Sequence, residues 1–152
     1  MIYIIVAFAI CAGDLAIKYY IEKKRTFSQK SKFLKDSIVI EKSHNKGVCL
    51  NALEKYPKFV LGLSGVLIGI MIGVFAMVLP RQRERLLKWG LSLCIGGAAG
   101  NFLDRLYRGY VVDYLNFPKI KPVKNIDFNS SDLFILIGSF LLLVYNIFRK
   151  DS

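Results

Sequence analysis

The sequence predicts an all-α integral membrane protein: a four-transmembrane-helix bundle with a small extramembrane β element between helices 1 and 2. Composition is the first reason, because 54% of the 152 residues are hydrophobic and the mean hydropathy is +0.41. Charge distribution is the second, since charged residues cluster between long apolar runs instead of being spread through them. Both features are typical of membrane proteins. We therefore expect a single membrane-embedded domain over residues 1–152.

The clearest span is the segment 59–79, FVLGLSGVLIGIMIGVFAMVL. It carries no charge and matches the roughly 20 residues that cross the hydrocarbon core of a bilayer. Shorter apolar runs, each carrying or abutting a carboxylate, lie at 2–17, 89–103 and 133–148. Four spans place the basic segment 80–88 and the C-terminal end on one side of the membrane. We expect helices at about 2–20, 58–79, 86–104 and 131–149, and outer loops at 21–57 and 105–130.

The first apolar run has an alternative interpretation as a cleavable signal peptide. No positive n-region precedes it, FAIC is a poor lipobox, and the run continues into Asp14 and Lys18. We therefore expect it to remain as helix 1. The cysteines Cys11, Cys49 and Cys94 lack the spacing of metal ligands, and we expect them to be small hydrophobic side chains.

Chain connectivity brings a set of polar residues to one face of the membrane. With four spans, that face receives the end of helix 1, the start of helix 2, the end of helix 3 and the start of helix 4. An unpaired carboxylate within a span costs about 2.5–3.5 kcal/mol at the helix centre, so three such acids indicate a site. The residues at this face are Asp14, Lys18, Asn101, Asp104, Arg105 and Asp132.

The segment GGAAGNFLDR at 96–105 combines small residues with polar ones. A GxxxG pair within it lets another helix approach closely. Asn101, Asp104 and Arg105 follow at i, i+3 and i+4, so they share nearly one helix face. Taken alone, the pattern is equally consistent with a helix-packing seam that ends in an interfacial ion pair.

Two further segments carry acids. In FNSSDLFILIG at 128–138, Asn129 and Asp132 are spaced as an N-capping pair at the start of a helix, which is the structural alternative to a catalytic role. In RGYVVDYLNF at 108–117, Asp113 lies among apolar residues, which disfavours its ionisation. The alternative for Asp113 is an interfacial acid paired with a Lys or Arg.

Together these segments resemble the lipoprotein signal peptidase (signal peptidase II) family, in order and in separation. GGAAGNFLDR, RGYVVDYLNF and FNSSD match the family's GGAxGNxxDR, GxVxDFxxF and FNxAD. DLAIK at 14–18 resembles the family's DQxxK, and NKG at 45–47 resembles the start of NxGAAF. The resemblance covers essentially the whole chain. The departures are Leu15 for Gln, Tyr114 for Phe, Ser131 for Ala, and VCL at 48–50.

The resemblance implies an aspartic endopeptidase of four transmembrane helices in the bacterial cytoplasmic (inner) membrane. Such an enzyme removes the signal peptide from diacylglyceryl-modified prolipoproteins by cleaving before the lipidated cysteine. The family's catalytic pair corresponds to Asp113 and Asp132. Two neighbouring carboxylates do not both ionise easily, so one acts as the base for water while the other holds a proton for the scissile carbonyl. The resemblance implies no metal or organic cofactor.

Supporting roles are expected for the polar residues around this pair. Arg105 lies beside Asp104 in sequence and Asn101 lies one turn back, so Asp104 is expected to stay ionised as scaffold. Asn101, Arg105 and Asn129 are expected to hold the carboxylates and polarise the peptide.

Three more candidates come from the first half of the chain. Asp14 and Lys18 are spaced as an ordinary i, i+4 helix pair. Because they match DQxxK, we expect them to line the site. Asn45, in the NKG segment, is expected to contribute to substrate binding.

The connection between helices 1 and 2 is predicted to hold the β element. SIVIE at 37–41 has a β-branched core and NKG at 45–47 favours a turn, so we expect a small hairpin here. In the family, the corresponding region forms a short sheet that cradles the substrate at the membrane surface. His44 is expected to be a solvated loop residue, because no Ser or Cys nucleophile motif accompanies it.

The distribution of Lys and Arg residues and the membrane orientation of the family give opposite predictions. The net charge is +11, and 15 of the 22 Lys and Arg residues lie in the connections 19–58 and 105–131. A literal positive-inside count places these loops in the cytoplasm, whereas the family places the active site near the outer face. The dense segment PRQRERLLK at 80–88 favours the family's orientation. The outer loops are then expected to bind anionic lipid headgroups. We expect a monomer and no nucleic-acid partner.

A small proton- or ion-conducting bundle is the alternative function, because such bundles also collect intramembrane acids. Conduction predicts polar residues spread through the membrane, and the segment 59–79 of helix 2 carries no charge. A non-enzymatic assembly protein would explain the GxxxG pair but not the acids outside it.

Overall fold

A computed structural model describes residues 1–47 and 52–149. The VCL departure at 48–50, with Cys49, lies outside the described residues. Four helices in the described part of the chain are long and apolar enough to cross a membrane. Their bounds are α1 Ile2–Lys24, α2 Pro57–Val78, α3 Arg85–Arg108 and α4 Ser130–Phe148.

The helices α1 and α3 each extend about one turn beyond their predicted ends. α3 ends where Gly109 adopts a left-handed conformation (φ 78°) and donates its N–H to the carbonyl of Arg105 at 3.1 Å. Arg105 and Arg108 therefore lie in the last helical turn, where basic side chains favour the macrodipole. The outer loop predicted to begin at residue 105 begins after Arg108 instead.

A four-stranded antiparallel sheet lies outside the helices, with strand order β1-β2-β3-β4. The β element predicted between helices 1 and 2 is present as two strands, and the connection between helices 3 and 4 supplies the other two strands of the sheet. The segment Val111–Asn116 forms a central strand, since its β-branched and aromatic residues favour extended backbone. The strands are β1 Ser31–Phe33, β2 Ile38–Asn45, β3 Val111–Asn116 and β4 Asp127–Phe128.

The hairpin in the first connection turns at a different place from the one predicted. β1 and β2 pair across a turn at 34–36, where all three residues have positive φ. The NKG segment instead ends β2, and Asn45 pairs with Val111 of β3. The Asn45 side-chain oxygen accepts the N–H of Gly47 at 3.0 Å, a local side-chain turn that ends the strand.

The helix α3 packs against the other three helices. Half of its span is buried, against 11–17% of the other spans. Its small residues explain this, because a Cβ on Gly96 would lie 2.7 Å from the carbonyl oxygen of Ala7 in α1. A Cβ on Gly97 would lie 2.5 Å from the carbonyl oxygen of Ser131 in α4. The close helix approach predicted for this stretch is confirmed, and it brings α1 and α4 together around the polar end of α3.

Candidate active site

A cavity of about 550 Å³ lies where the sheet meets the polar ends of α3 and α4. Six of the predicted site residues line this cavity. They are Asn45, Asn101, Arg105, Asp113, Asn129 and Asp132.

One residue, Asn129, holds both carboxylates of the predicted pair. Its side-chain amide donates to Asp113 Oδ1 at 2.6 Å, and its backbone N–H donates to Asp132 Oδ2 at 3.1 Å. Asn129 is fully buried, so neither bond competes with solvent. Asn129 thereby joins β3 to the start of α4, through its side-chain amide on one side and its backbone N–H on the other.

Asp132 is held as an acceptor at the N-terminus of α4. It forms a capping box with Asn129, in which the Asp132 N–H donates to Asn129 Oδ1 at 3.1 Å. Its other oxygen, Oδ1, accepts the amide of Asn101 at 2.8 Å. The N-capping arrangement considered as the alternative is therefore real, and it also orients the carboxylate into the cavity. Charge at this position is favoured by the helix dipole.

Asp113 lies in surroundings more polar than its sequence neighbours indicate. Because side chains alternate along β3, its carboxylate faces the amides of Asn45 (3.2 Å) and Asn129. Burial, together with the nearby Asp132 carboxylate, raises the pKa of Asp113 to about 7 from its usual 3.8, against the opposing effect of the two amides. With a pKa of about 7, Asp113 is about half protonated at neutral pH.

A buried ionic layer lies behind the cavity. Lys18, which is 0% exposed, is 2.6 Å from Asp14 and 3.4 Å from Asp104. Its ammonium also donates to Asn101 Oδ1 at 2.7 Å. Asp14 and Lys18, which we expected to line the site, do not line this cavity, and Lys18 instead contacts Asn101, which does.

The cations beside Asp104 are also different from the one predicted. Asp104 pairs with Lys18 and, at 3.2 Å, with Arg108, and it accepts the N–H of Val112 at 3.1 Å. Arg105 is next to it in sequence but points elsewhere, because consecutive helical residues lie about 100° apart. Asp104 thus ties the end of α3 to β3 and to α1, as scaffold.

Arg105 belongs to the cavity itself. Its guanidinium donates to the carbonyl of Gly47 at 2.7 Å and to that of Asn101 at 3.3 Å. Its Nε atom is buried and has no hydrogen-bond partner among the described residues. A buried unpaired donor in a polar cavity is a costly arrangement unless a ligand completes it.

Two departures from the family pattern have different structural meanings. The Tyr114 hydroxyl donates to Ser130 Oγ at 2.9 Å and accepts the Ser130 N–H at 3.1 Å, so it caps the start of α4. Ser130 Oγ then donates to Asp14 Oδ1 at 2.6 Å. Tyr114 and Ser130 were missed from the sequence, although the added hydroxyl of Tyr114 was visible there. Nothing in the structure explains the hydroxyl of Ser131, which is buried without a hydrogen-bond partner in the described part of the chain.

The expectation for His44 was wrong. It lies in β2, stacked on the ring of Tyr110 at 3.8 Å between centroids, and its Nε2 is 2.9 Å from the Glu22 carboxylate. Lys42 also pairs with Glu22 at 3.1 Å. This cluster joins the end of α1 to the sheet. Across residues 1–47 and 52–149, no group of three or more His, Cys, Asp or Glu side chains is arranged to hold a metal ion.

The chain is similar in sequence to one known family of proteins. A family model described as signal peptidase (SPase) II matches residues 6–148. Lipoprotein signal peptidases of Brucella ovis and Brucella canis are 34% identical over 136 residues, which cover 86% of this chain and 80% of each relative.

Two solved structures share the fold. Both are described as bacterial membrane enzymes determined by the in meso method, at 2.3 and 1.9 Å resolution. Their TM-scores are 0.80 and 0.77, at 21% and 20% identity. The matches cover 99% and 98% of this chain, and 92% and 94% of the solved chains.

Proposed function

The chain belongs to the signal peptidase II family, and from that membership we propose that it removes the signal peptide from prolipoproteins. It is a multi-pass bacterial membrane protein with four spans. The finer proposal is that it is an aspartic endopeptidase that cleaves before the cysteine carrying the diacylglyceryl group. Asp113 and Asp132 are its proposed catalytic residues. The observation that carries this assignment is Asn129, which holds both carboxylates at one cavity.

The two acids have different proposed roles. Asp132 is the base, because both of its oxygens accept hydrogen bonds and the N-terminus of α4 favours its charge. Asp113 is the acid, because its raised pKa keeps a proton on it near neutral pH. The environments of the two carboxylates thereby separate their protonation states, as acid–base catalysis requires.

The reaction follows from these two states. Asp132 takes a proton from a water molecule, whose oxygen attacks the carbonyl carbon of the residue before the lipidated cysteine. Asp113 gives its proton to the carbonyl oxygen, forming a neutral tetrahedral intermediate. The C–N bond then breaks as the cysteine nitrogen takes the proton held by Asp132, and Asp113 regains a proton from the collapsing hydroxyl. Both carboxyl groups return to their starting states.

The surrounding polar residues orient the reacting groups. Asn101 and Asn129 donate to the carboxylates and hold them at fixed angles. Arg105 lines the cavity, where its guanidinium is placed to donate to a carbonyl oxygen of the substrate backbone. Asn45 donates to Asp113 and is bonded to Gly47, so the end of β2 bounds the cavity on the substrate side.

The proposed orientation places the cavity near the outer face of the cytoplasmic membrane. The basic segment 80–88, which spans the short α2–α3 connection and the first turn of α3, is the better local cytoplasmic anchor. The basic outer loops then meet anionic lipid headgroups. We propose that the protein acts as a monomer and has no nucleic-acid partner. The alternative of an ion-conducting bundle is not supported, since the described acids cluster at one end of the spans.

The decisive experiment is cleavage of a purified diacylglyceryl-modified prolipoprotein by the purified protein in lipid. We expect a single product cut before the modified cysteine, and none from Asp132→Asn. Asp36→Asn is the matched control, because Asp36 is exposed in the β1–β2 turn and forms an exposed ion pair with Lys32 of β1. Equal product from wild type and Asp132→Asn would contradict the assignment.

A further inference from the structure

The start of α4 is held by acceptors from three different elements. The first four N–H groups of a helix have no carbonyl partner within it. In α4, the capping box satisfies two of them. The N–H of Ser130 donates instead to the hydroxyl of Tyr114 in β3 at 3.1 Å. The N–H of Ser131 donates to Asp14 Oδ1 in α1, also at 3.1 Å, so two of the four acceptors come from outside α4.

Two hydroxyl groups connect these outside acceptors to each other. The Tyr114 hydroxyl donates to Ser130 Oγ at 2.9 Å, and Ser130 Oγ donates to Asp14 Oδ1 at 2.6 Å. Tyr114 and Asp14 are 4% and 2% exposed, so solvent does not compete for these bonds. The chain of hydrogen bonds from Tyr114 through Ser130 to Asp14 therefore fastens the start of α4 to β3 on one side and to α1 on the other.

The same two segments, β3 and the start of α4, carry the proposed catalytic groups. Asp113 and Tyr114 are consecutive residues of β3. The first is bonded to Asn129 and the second to Ser130, which are consecutive at the start of α4. Asp132 follows in the same helical turn. A shift of Ser130 away from Tyr114 would therefore also move Asn129 away from Asp113.

Tyr114 and Ser130 do not line the cavity, so they do not touch a substrate bound there. Position 114 is Phe in the family's motif, and a phenyl ring offers no hydroxyl acceptor to the N–H of Ser130. We propose that Tyr114 and Ser130 are positioning residues, whose hydroxyl groups fix the start of α4. They thereby hold Asp132 and Asn129 in alignment with Asp113. This proposal rests on the proposed function.

The test removes one hydroxyl group at a time from the purified protein, with the diacylglyceryl-modified prolipoprotein as substrate. Tyr114→Phe introduces the residue that the family's motif has at this position, so we expect the variant to fold. Ser130→Ala removes the second hydroxyl. Each variant is expected to lower kcat about tenfold and to keep KM within about twofold, because a small misplacement of catalytic groups slows the chemical step without weakening substrate binding.

The pH profile distinguishes a positioning role from a loss of folded protein. A misfolded fraction lowers kcat but leaves the pH profile in place. A displaced Asn129 donates less well to Asp113, and because that bond favours the charged form, its weakening raises the pKa of Asp113. The alkaline limb of kcat/KM is therefore expected to move to higher pH in Tyr114→Phe. The charged groups that face Asp113 are the same in both proteins: Asp132 of α4, Arg105 of α3 and Lys18 of α1.

The double variant tests whether the two hydroxyl groups act through one chain. Substitutions within one hydrogen-bond network have non-additive effects. Tyr114→Phe/Ser130→Ala is therefore expected to lose no more than about twofold beyond the larger single effect, whereas independent effects would multiply to about a hundredfold.

Tyr110→Phe is the matched control, because the Tyr110 hydroxyl also bonds to α1, at Glu22 (3.4 Å), and neither residue lines the cavity. It is expected to keep the wild-type kcat, KM and alkaline limb. A wild-type kcat in Tyr114→Phe, a limb that stays in place, multiplied losses in the double variant or an equal loss in the control would each overturn the proposal. Failure of wild type to cleave the substrate would instead refute the proposed function itself.

Discussion

Lys18 donates a buried hydrogen bond of 2.7 Å from its ammonium to the side-chain oxygen of Asn101. An ammonium has no acceptor, so the amide of Asn101 must present its oxygen to Lys18 and its NH₂ group to Asp132. Lys18, which does not line the cavity, thereby determines that Asp132, the proposed catalytic base, meets the NH₂ group of Asn101 and not its oxygen. Asp14 and Asp104 hold the cation in place.

Replacing Lys18 tests whether it orients Asn101 toward Asp132. Lys18→Met is expected to abolish measurable cleavage and to lower the free energy of unfolding by about 3–5 kcal/mol, because it leaves the buried Asp14 carboxylate without a cation and Asp104 with Arg108 alone. Lys32→Met is the matched control, since Lys32 and Asp36 form an i, i+4 pair that is exposed and contributes at most about 1 kcal/mol. Turnover and melting temperature in detergent are the measurements. A Lys18→Met protein that cleaves as well as the control would show that cleavage does not depend on the contact between Lys18 and Asn101.

Conservative substitutions distinguish the proposed catalytic pair, Asp113 and Asp132, from Asp104, the proposed scaffold acid. Asp113→Asn and Asp132→Asn are each expected to reduce turnover at least a thousandfold while the protein stays folded, because each removes half of the acid–base pair. Asp104→Asn is expected to lower the melting temperature and to reduce turnover only partly, because Asp104 holds Lys18, Arg108 and the Val112 N–H. An inactive Asp104→Asn beside an active Asp113→Asn would mean that the pair is misassigned.

The pH dependence of cleavage reports the proton on Asp113. With a pKa of about 7, Asp113 loses its proton as pH rises, so kcat/KM is expected to fall above about pH 7. The amide of Asn45 favours the charged form, so removing it raises the pKa further. Asn45→Ala is therefore expected to move the alkaline limb to higher pH. A limb that stays in place or moves to lower pH would exclude Asp113 as its source.

Helix packing is tested by adding one methyl group. Gly97→Ala is expected to cost about 1–3 kcal/mol of stability through overpacking, because its Cβ would lie 2.5 Å from the carbonyl oxygen of Ser131. Gly69→Ala is the control, since a Cβ there meets nothing within 4 Å and Ala favours helix over Gly. Melting temperatures in detergent compare the two. Equal temperatures would show that α3 and α4 do not approach as described.

Membrane orientation is tested by labelling intact cells with an impermeant maleimide. The background protein has Cys11, Cys49 and Cys94 replaced, and single cysteines are introduced as Lys32→Cys in the β1–β2 hairpin and Gln82→Cys in the basic connection. Both positions are exposed. Lys32→Cys is expected to react and Gln82→Cys to react only after the membrane is permeabilised. The reverse pattern would place the cavity in the cytoplasm, where an exported prolipoprotein could not reach it.

Local patterns in the sequence were enough to predict the four spans and the face that the acids share. Hydropathy is a property of each segment alone, so an uncharged run of about 20 residues indicates a span without reference to the rest of the chain. Connectivity then brings the end of α3 and the start of α4 to one depth. The capping pair of Asn129 and Asp132 was also visible, because a cap involves residues three apart.

Tertiary structure alone decided which side chains meet across those elements. Sequence adjacency pointed to Arg105 as the partner of Asp104, but helical periodicity brings Arg108, four residues on, to Asp104, and the packing of α1 on α3 brings Lys18. Alternation along β3 turned Asp113 toward two amides despite its apolar neighbours. The sequence also did not predict that strands from both long connections pair into one sheet. Long-range pairing depends on the relative depth and rotation of packed elements, and a pattern confined to one segment carries no information about either.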